Sequence, residues 1–140
     1  MSLQSRAVTM TKQMIQIEST DPGTYENAMA DWITTQLAPY PNVRLSRQEV
    51  LPGRPNLIAE LTGDPSLPAL VMICHMDTVV KGEGWTKNAF GAEVSDGKIW
   101  GRGACDMKSG LASALTAFAE VAKSQKENAE DIEKLPGTLV

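Results

Sequence analysis

Ala69-Leu70-Val71-Met72-Ile73-Cys74-His75-Met76-Asp77 is the stretch on which the reading of this sequence turns. From Ala69 to Cys74 it is nearly all apolar, as a central strand covered on both faces would be. It then turns polar at His75 and Asp77. The C-terminal ends of strands are where open α/β sheets place their ligand sites. Side chains two apart on an extended chain point the same way, so His75 and Asp77 face one pocket. Cys74 alternates away from them and is expected to point into the core.

Other elements follow on either side of this strand. Val43 to Val50 and Asn56 to Leu61 are strand candidates, and Pro52-Gly53 and Gly63-Asp64-Pro65 supply the turns between them. Downstream, Ala92-Glu93-Val94 and Lys98-Ile99-Trp100 flank Ser95-Asp96-Gly97, which predicts a compact hairpin. Residues 3–19 read as an amphipathic helix, with Leu3, Ala7, Met10, Met14 and Ile17 on one face. Asp21-Pro22-Gly23 is expected to stop it. A second helix is expected to start near Thr24 as its N-cap, to bury Met29, Ile33 and Leu37, and to end at Pro39 and Pro41. A third runs from about Asp106 to Ser124, with Met107, Leu111, Leu115, Phe118 and Ala122 on its buried face. Lys123 to Lys134 is charged and reads as a solvated helix end or loop. Leu135 to Val140 looks like the start of another strand, and the sequence reads as the front part of a longer fold. There is no internal repeat and no low-complexity tract. Helices mixed with a hydrophobic sheet define an α/β class, a three-layer sandwich with a central mixed sheet.

Composition narrows the function. The 140 residues, 42% of them hydrophobic, suffice for one domain with a real core. Thirteen basic against 17 acidic residues give a net charge of −4. A nucleic-acid binder would want a basic surplus, and so would a polybasic membrane-surface protein. No stretch reaches the ~18 apolar residues of a transmembrane helix. Met1 to Met14 contains no apolar signal-peptide core. Two cysteines make no disulfide framework, which points to the cytoplasm. The single histidine limits what metal site the chain can build alone.

Two constellations could carry chemistry. In the first, a metal-bound histidine usually has its other ring nitrogen held by a carboxylate, and Asp77 is placed to do that for His75. The plainer alternative is a polar strand end with Asp77 capping a turn. The second is Gly101-Arg102-Gly103-Ala104-Cys105-Asp106-Met107-Lys108-Ser109-Gly110, which opens the third helix. Two glycines before a helix suit a phosphate cradle. However, the third glycine of a dinucleotide fingerprint falls at Asp106, whose carboxylate would repel pyrophosphate. Asp106 is either an N-cap at the positive end of the helix or a cation ligand; its two oxygens allow both. Without a Cys-x-x-Cys pair, a structural zinc knuckle is unsupported. Met10, Met14, Met29, Met72 and Met107 fit core faces. Cys105 reads as a small buried residue. Trp85, Phe90 and Trp100 are expected to pack a loop, and Lys108 and Lys123 to be solvated.

His75-Met76-Asp77-Thr78-Val79, then Gly84-Trp85, then Asp96 to Gly110, together resemble the two-zinc amidohydrolase family of acetylornithine deacetylase, succinyl-diaminopimelate desuccinylase, aminoacylase and carboxypeptidase G. The two motifs, in this order and about thirty residues apart, make the likeness specific. One departure is Ala89, where the family often has proline before the loop aromatic. The resemblance implies that residues 1–140 are the N-terminal portion of a zinc-hydrolase catalytic domain, without its lid and dimerisation domain. It implies that His75 ligates one zinc, that Asp106 bridges two, and that Asp77 orients His75. Cobalt or manganese could replace zinc. It also implies a cis peptide bond at Asp106-Met107. The general base and the remaining ligands are expected downstream, so this chain alone would be inactive. The implied substrate is an N-acyl amino acid or short peptide, and the complete protein would be a homodimer. The competing readings are a non-catalytic truncated module and a phosphate- or nucleotide-binding α/β domain.

Overall fold

The computed structural model describes residues 2–127 and 135–140. In chain order it holds α1 (Leu3–Gln16), β1 (Thr20–Asp21), α2 (Asn27–Leu37), β2 (Arg44–Leu51), β3 (Arg54–Glu60), β4 (Thr78–Val79), β5 (Glu93–Ser95), β6 (Lys98–Trp100), a wide turn at Ala104–Lys108 and α3 (Ser109–Glu127). This is the mixed α/β class that the sequence predicts.

α1 begins where the Ser2 hydroxyl accepts from the Ser5 N–H, a side-chain cap on an otherwise unpaired donor. It stops at Ile17, before the expected Asp21-Pro22-Gly23 turn, because residues 19–21 leave the helix to pair with β4. Thr78 N–H donates to Ser19 O at 2.9 Å, and β1 lies parallel to β4. α2 starts later than expected. Thr24 is not its cap, since that hydroxyl donates to Glu18 O and accepts from Thr20 N–H. Glu26 takes the cap position without a capping bond, and its buried carboxylate receives Arg54 from β3 at 2.6 Å. The second helix is thereby tied to the β2–β3 hairpin.

One hydrophobic core joins the three helices to the sheet. Met10 and Met14 of α1, Met29, Ile33 and Leu37 of α2, and Leu111, Leu115, Phe118 and Ala122 of α3 meet Leu61, Leu57, Ala59, Met72 and Leu139. Burying side chains of this size contributes about 1.5–3 kcal/mol each. The hairpin β5–β6 pairs as predicted, Glu93 with Trp100 and Ser95 with Lys98.

The run from Ala69 to His75 departs from expectation. It forms no continuous ladder: among the described residues its only sheet bridge is Leu70 with Leu139. Nor is it covered on both faces. Met72 and Cys74 pack on the core, while Val71 is exposed and Ile73 is 88% exposed. The physical reason is that no described residues lie on its outward face. The expected strand at Leu135–Val140 is present as a short link: Leu139 bridges Leu61 antiparallel and Leu70 parallel, which is mixed pairing. Two further expectations need correction. Lys108 is buried rather than solvated, and Cys105 is exposed rather than buried. Of Lys123–Lys134, α3 takes the first part through Glu127, Lys123 being exposed; residues 128–134 lie outside the described residues.

Candidate metal half-site

His75 and Asp106 stand 31 residues apart in sequence and meet in space: His75 Nε2 lies 3.0 Å from Asp106 Oδ1. The two come from different elements. His75 ends the apolar run, which is anchored just beyond it where Ser19 Oγ donates to Met76 O at 2.7 Å. Asp106 sits in the wide turn, at φ −124° and ψ 98°, so it does not belong to α3 and is not an ordinary N-cap. α3 starts at Ser109, later than expected. The peptide bond from Asp106 to Met107 is cis.

The turn is fixed by its neighbours. A Cβ on Gly101 would come within 2.4 Å of Ile15 Cγ2, and one on Gly103 within 2.5 Å of Thr78 Cγ2. Gly103 also takes φ +79°, a region that L side chains enter at a cost. Close approach to α1 and β4 thus accounts for both glycines without a phosphate. Lys108 completes the clamp. Its Nζ donates to Met14 O at 3.0 Å and Ile17 O at 2.7 Å, carbonyls at the end of α1, the first of which also accepts from Ile17 N–H. Burial pushes its pKa down to about 8, with Glu18 partly opposing. Sequence reading missed Lys108, although the signal was there. Lys108, Leu111, Leu115, Phe118 and Ala122 recur at helical spacing, so the lysine belongs to the buried stripe.

His75 Nδ1 faces Asp77. The shorter contact is with the backbone carbonyl at 3.0 Å, and the carboxylate lies at 3.4 Å. In the imidazolium both ring nitrogens donate, Nδ1–H to that carbonyl and Nε2–H to Asp106; loss of the Nε2 proton would free its lone pair for a cation. The hydrogen bond to Asp106 raises the His75 pKa above its ordinary value, ahead of an opposing desolvation and smaller contributions from Asp77. The Asp106 side chain is 88% exposed, so its second oxygen is open to a further partner.

This donor set fits part of a divalent-cation site. An imidazole nitrogen and a carboxylate converge, and the far side of the ring is held, as ligating histidines usually are. It does not complete one: among the described residues, no group of three or more His, Cys, Asp or Glu is placed to hold a metal ion. Beside it, a cavity of about 330 Å³ is lined by His75, Asp77, Glu26 and Arg54. Around the hairpin, Trp85 Nε1 donates to Lys81 O and the Arg102 guanidinium lies over its ring, as expected of loop packing. No helix among the described residues is long and apolar enough to cross a membrane.

An α/β domain with a converging imidazole–carboxylate pair at the end of an apolar run is the class that fold and site define. Residues 71–135, a little under half of the chain, match peptidase family M20/M25/M40, a family of hydrolytic enzymes. The succinyl-diaminopimelate desuccinylase of Wolinella succinogenes is 45% identical over 65 residues, 46% of this chain and 15% of that protein. That of Gluconacetobacter diazotrophicus is 45% identical over 71 residues, 50% of this chain and 18% of its own length. The fold resembles human carnosine dipeptidase 1 at a TM-score of 0.68 and 21% identity, covering 97% of this chain and 31% of that one. The matched stretch thus spans less than a fifth of these two desuccinylases.

Proposed function

We propose that this chain supplies half of the metal site of an amide hydrolase. His75 would hold one zinc, Asp106 would serve both zincs of the pair, and Asp77 would steady the His75 ring from behind. The observation that carries this is the meeting of His75 Nε2 and Asp106 Oδ1 across two separate elements. When bound, a zinc pair lowers the pKa of a water and polarises the scissile carbonyl. The chain's own residues hold and orient. The Asp77 carbonyl selects the tautomer with Nε2 free, and the clamped turn presents the Asp106 carboxylate outward.

A catalytic zinc takes three protein ligands. His75 and Asp106 are two candidates, and no residue of this chain is assigned as general base. The substrate reading is an N-acyl amino acid or a short peptide. The names of the matched relatives favour the acyl amide. A cytoplasmic setting and a homodimer of the whole protein belong to the same proposal.

Titration of the 140-residue chain with zinc in a calorimeter tests it. Saturable heat is expected, lost in both His75→Ala and Asp106→Asn. The chain alone is expected not to hydrolyse an N-succinyl amide. Equal zinc binding by both variants would remove the site. Binding of a nucleotide in its place would favour the phosphate-cradle reading of Gly101 to Gly103.

A further inference from the structure

Ser19 lies just past Ile17, where α1 ends, and it is fully buried. A hydroxyl in such a place needs a partner. Its Oγ donates to Met76 O at 2.7 Å. The Ser19 carbonyl, in turn, accepts from Thr78 N–H at 2.9 Å. Both bonds come from one residue, and they fall on the two peptide groups that flank Asp77.

That placement aims a third group. A peptide unit is planar, and in the trans form its C=O and N–H point in opposite directions. The Asp77–Thr78 bond is trans. Thr78 N–H points at Ser19, so Asp77 C=O points away from Ser19. It is this carbonyl that lies 3.0 Å from His75 Nδ1. The Ser19 hydroxyl holds the preceding peptide, Met76–Asp77. Only two soft dihedrals join these two planes, and both belong to Asp77. With each plane tied to Ser19, neither dihedral can turn the carbonyl off the ring. Joining β1 to β4 needs no hydroxyl, because Thr20 with Thr78 and Asp21 with Val79 already pair. The hydroxyl bond instead reaches back to Met76, on the His75 side of Asp77.

We propose that Ser19 is a positioning residue for His75. It holds the Asp77 carbonyl against Nδ1, which keeps the neutral ring in its Nδ1–H tautomer and turns the Nε2 lone pair to the cation side. The tautomer of a histidine is set by the hydrogen bond that its other nitrogen makes. Ser19 itself touches neither metal nor substrate. The use of Nε2 rests on the metal-site reading above; the aim of the carbonyl does not.

Asp106 competes for the ring proton, since its carboxylate accepts from Nε2–H. The test therefore uses the ¹⁵N-labelled 140-residue chain carrying Asp106→Ala, which removes a side chain that is 88% exposed. The chain has one histidine, so its ring ¹⁵N shifts report the tautomer of the neutral ring without ambiguity. The Nδ1–H form is expected to predominate. Adding Ser19→Ala should lower the ratio of Nδ1–H to Nε2–H roughly threefold or more, the scale of one hydrogen bond. Thr116→Val removes a buried hydroxyl from α3 and should leave the ratio unchanged, which separates positioning from a general loss of stability. Asp77→Ala keeps the backbone carbonyl and should leave Nδ1–H predominant, since the carboxylate lies farther off at 3.4 Å. Nε2–H predominating with Ser19 intact would overturn the proposal, and that result needs no Ser19 variant to fold. So would an unchanged ratio in folded Ser19→Ala, an equal fall in Thr116→Val, or loss of the Nδ1–H form in Asp77→Ala. No metal enters these measurements. The expected tautomers in a chain that binds no zinc would sink the metal reading and leave the role of Ser19 standing.

Discussion

Asp106 and His75 face each other, yet the segments that carry them are held in opposite ways. The turn around Asp106 is clamped on both flanks: Gly101 against Ile15, Gly103 against Thr78, and the Lys108 ammonium into the end of α1. Among the described residues, the backbone hydrogen bonds of the run that carries His75 lie near its ends, with residues 138–140 at Leu70 to Met72 and with Ser19 at Met76 and Thr78. Between them Ile73 stands almost fully in solvent. The core therefore positions the carboxylate, whereas an open strand edge positions the histidine. Substitutions on the two sides should differ accordingly in what they cost.

Gly103→Ala should have the largest effect. The new Cβ would lie 2.5 Å from Thr78 Cγ2 and the residue would keep φ +79°. Overpacking costs about 1–3 kcal/mol and the left-handed backbone about 1–2 more, so a loss near 3 kcal/mol is expected in urea unfolding. A loss below about 1 kcal/mol would show that the turn can shift and is not clamped.

Lys108→Met comes next. It removes two hydrogen bonds from a charged donor, each contributing about 1.5–3 kcal/mol, and takes that donor from the Ile17 carbonyl, while Met14 O keeps its bond from Ile17 N–H. The cost of burying the ammonium, visible in its lowered pKa, is recovered in the variant. The balance is a destabilisation of about 2 kcal/mol. A neutral or stabilising result would mean that desolvation outweighs the bonds and that the lysine does not secure the turn.

Much of this contrast could be read from the residues. The hairpin and the α/β class are legible because alternation and helical period record burial directly, whereas the joining of His75 and Asp106 in one site followed from the family resemblance of the two motifs. What escaped depended on partners distant in sequence. Helical spacing marked Lys108 as part of the buried stripe, but its partner, the end of α1, is one that no local rule places beside residue 108. The α2 cap was misread because Thr24 is drawn to Glu18 O and Glu26 to Arg54. An apolar run also records what its side chains can tolerate, and Ile73 shows that this differs from what the described residues cover. Asp77 was assigned to orient His75 through its carboxylate, but its backbone carbonyl is nearer, and sequence cannot distinguish the two.

Asp106→Asn should alter stability little and the titration of His75 clearly. The hydrogen bond to Asp106 is the first cause of the raised His75 pKa, so that pKa should fall toward the ordinary value near 6.5. A histidine raised in the folded state stabilises it fully below the unfolded value, and this is lost as pH rises through the higher folded value. In the variant that loss should be smaller and occur at lower pH. Both side chains are largely exposed, so the pair contributes less than about 1 kcal/mol. NMR titration of the ring protons reads the pKa. An unchanged value would mean that the Asp77 contacts set it instead.

Ile73→Thr should change least and sharpens the comparison most. An isoleucine that is 88% exposed has little transfer free energy to lose. Threonine keeps the β-branch and so the extended backbone preference, which removes conformational propensity as a competing cause. The expected change is within about 0.5 kcal/mol, the scale of ordinary surface positions. The same substitution at a covered strand position would strand a hydroxyl and lose a methyl group, for about 1–3 kcal/mol. Urea unfolding of the 140-residue chain separates these outcomes. A loss above about 1.5 kcal/mol would mean that the outward face of the run is covered in solution, and the His75 side of the site would then be as well supported as the Asp106 side.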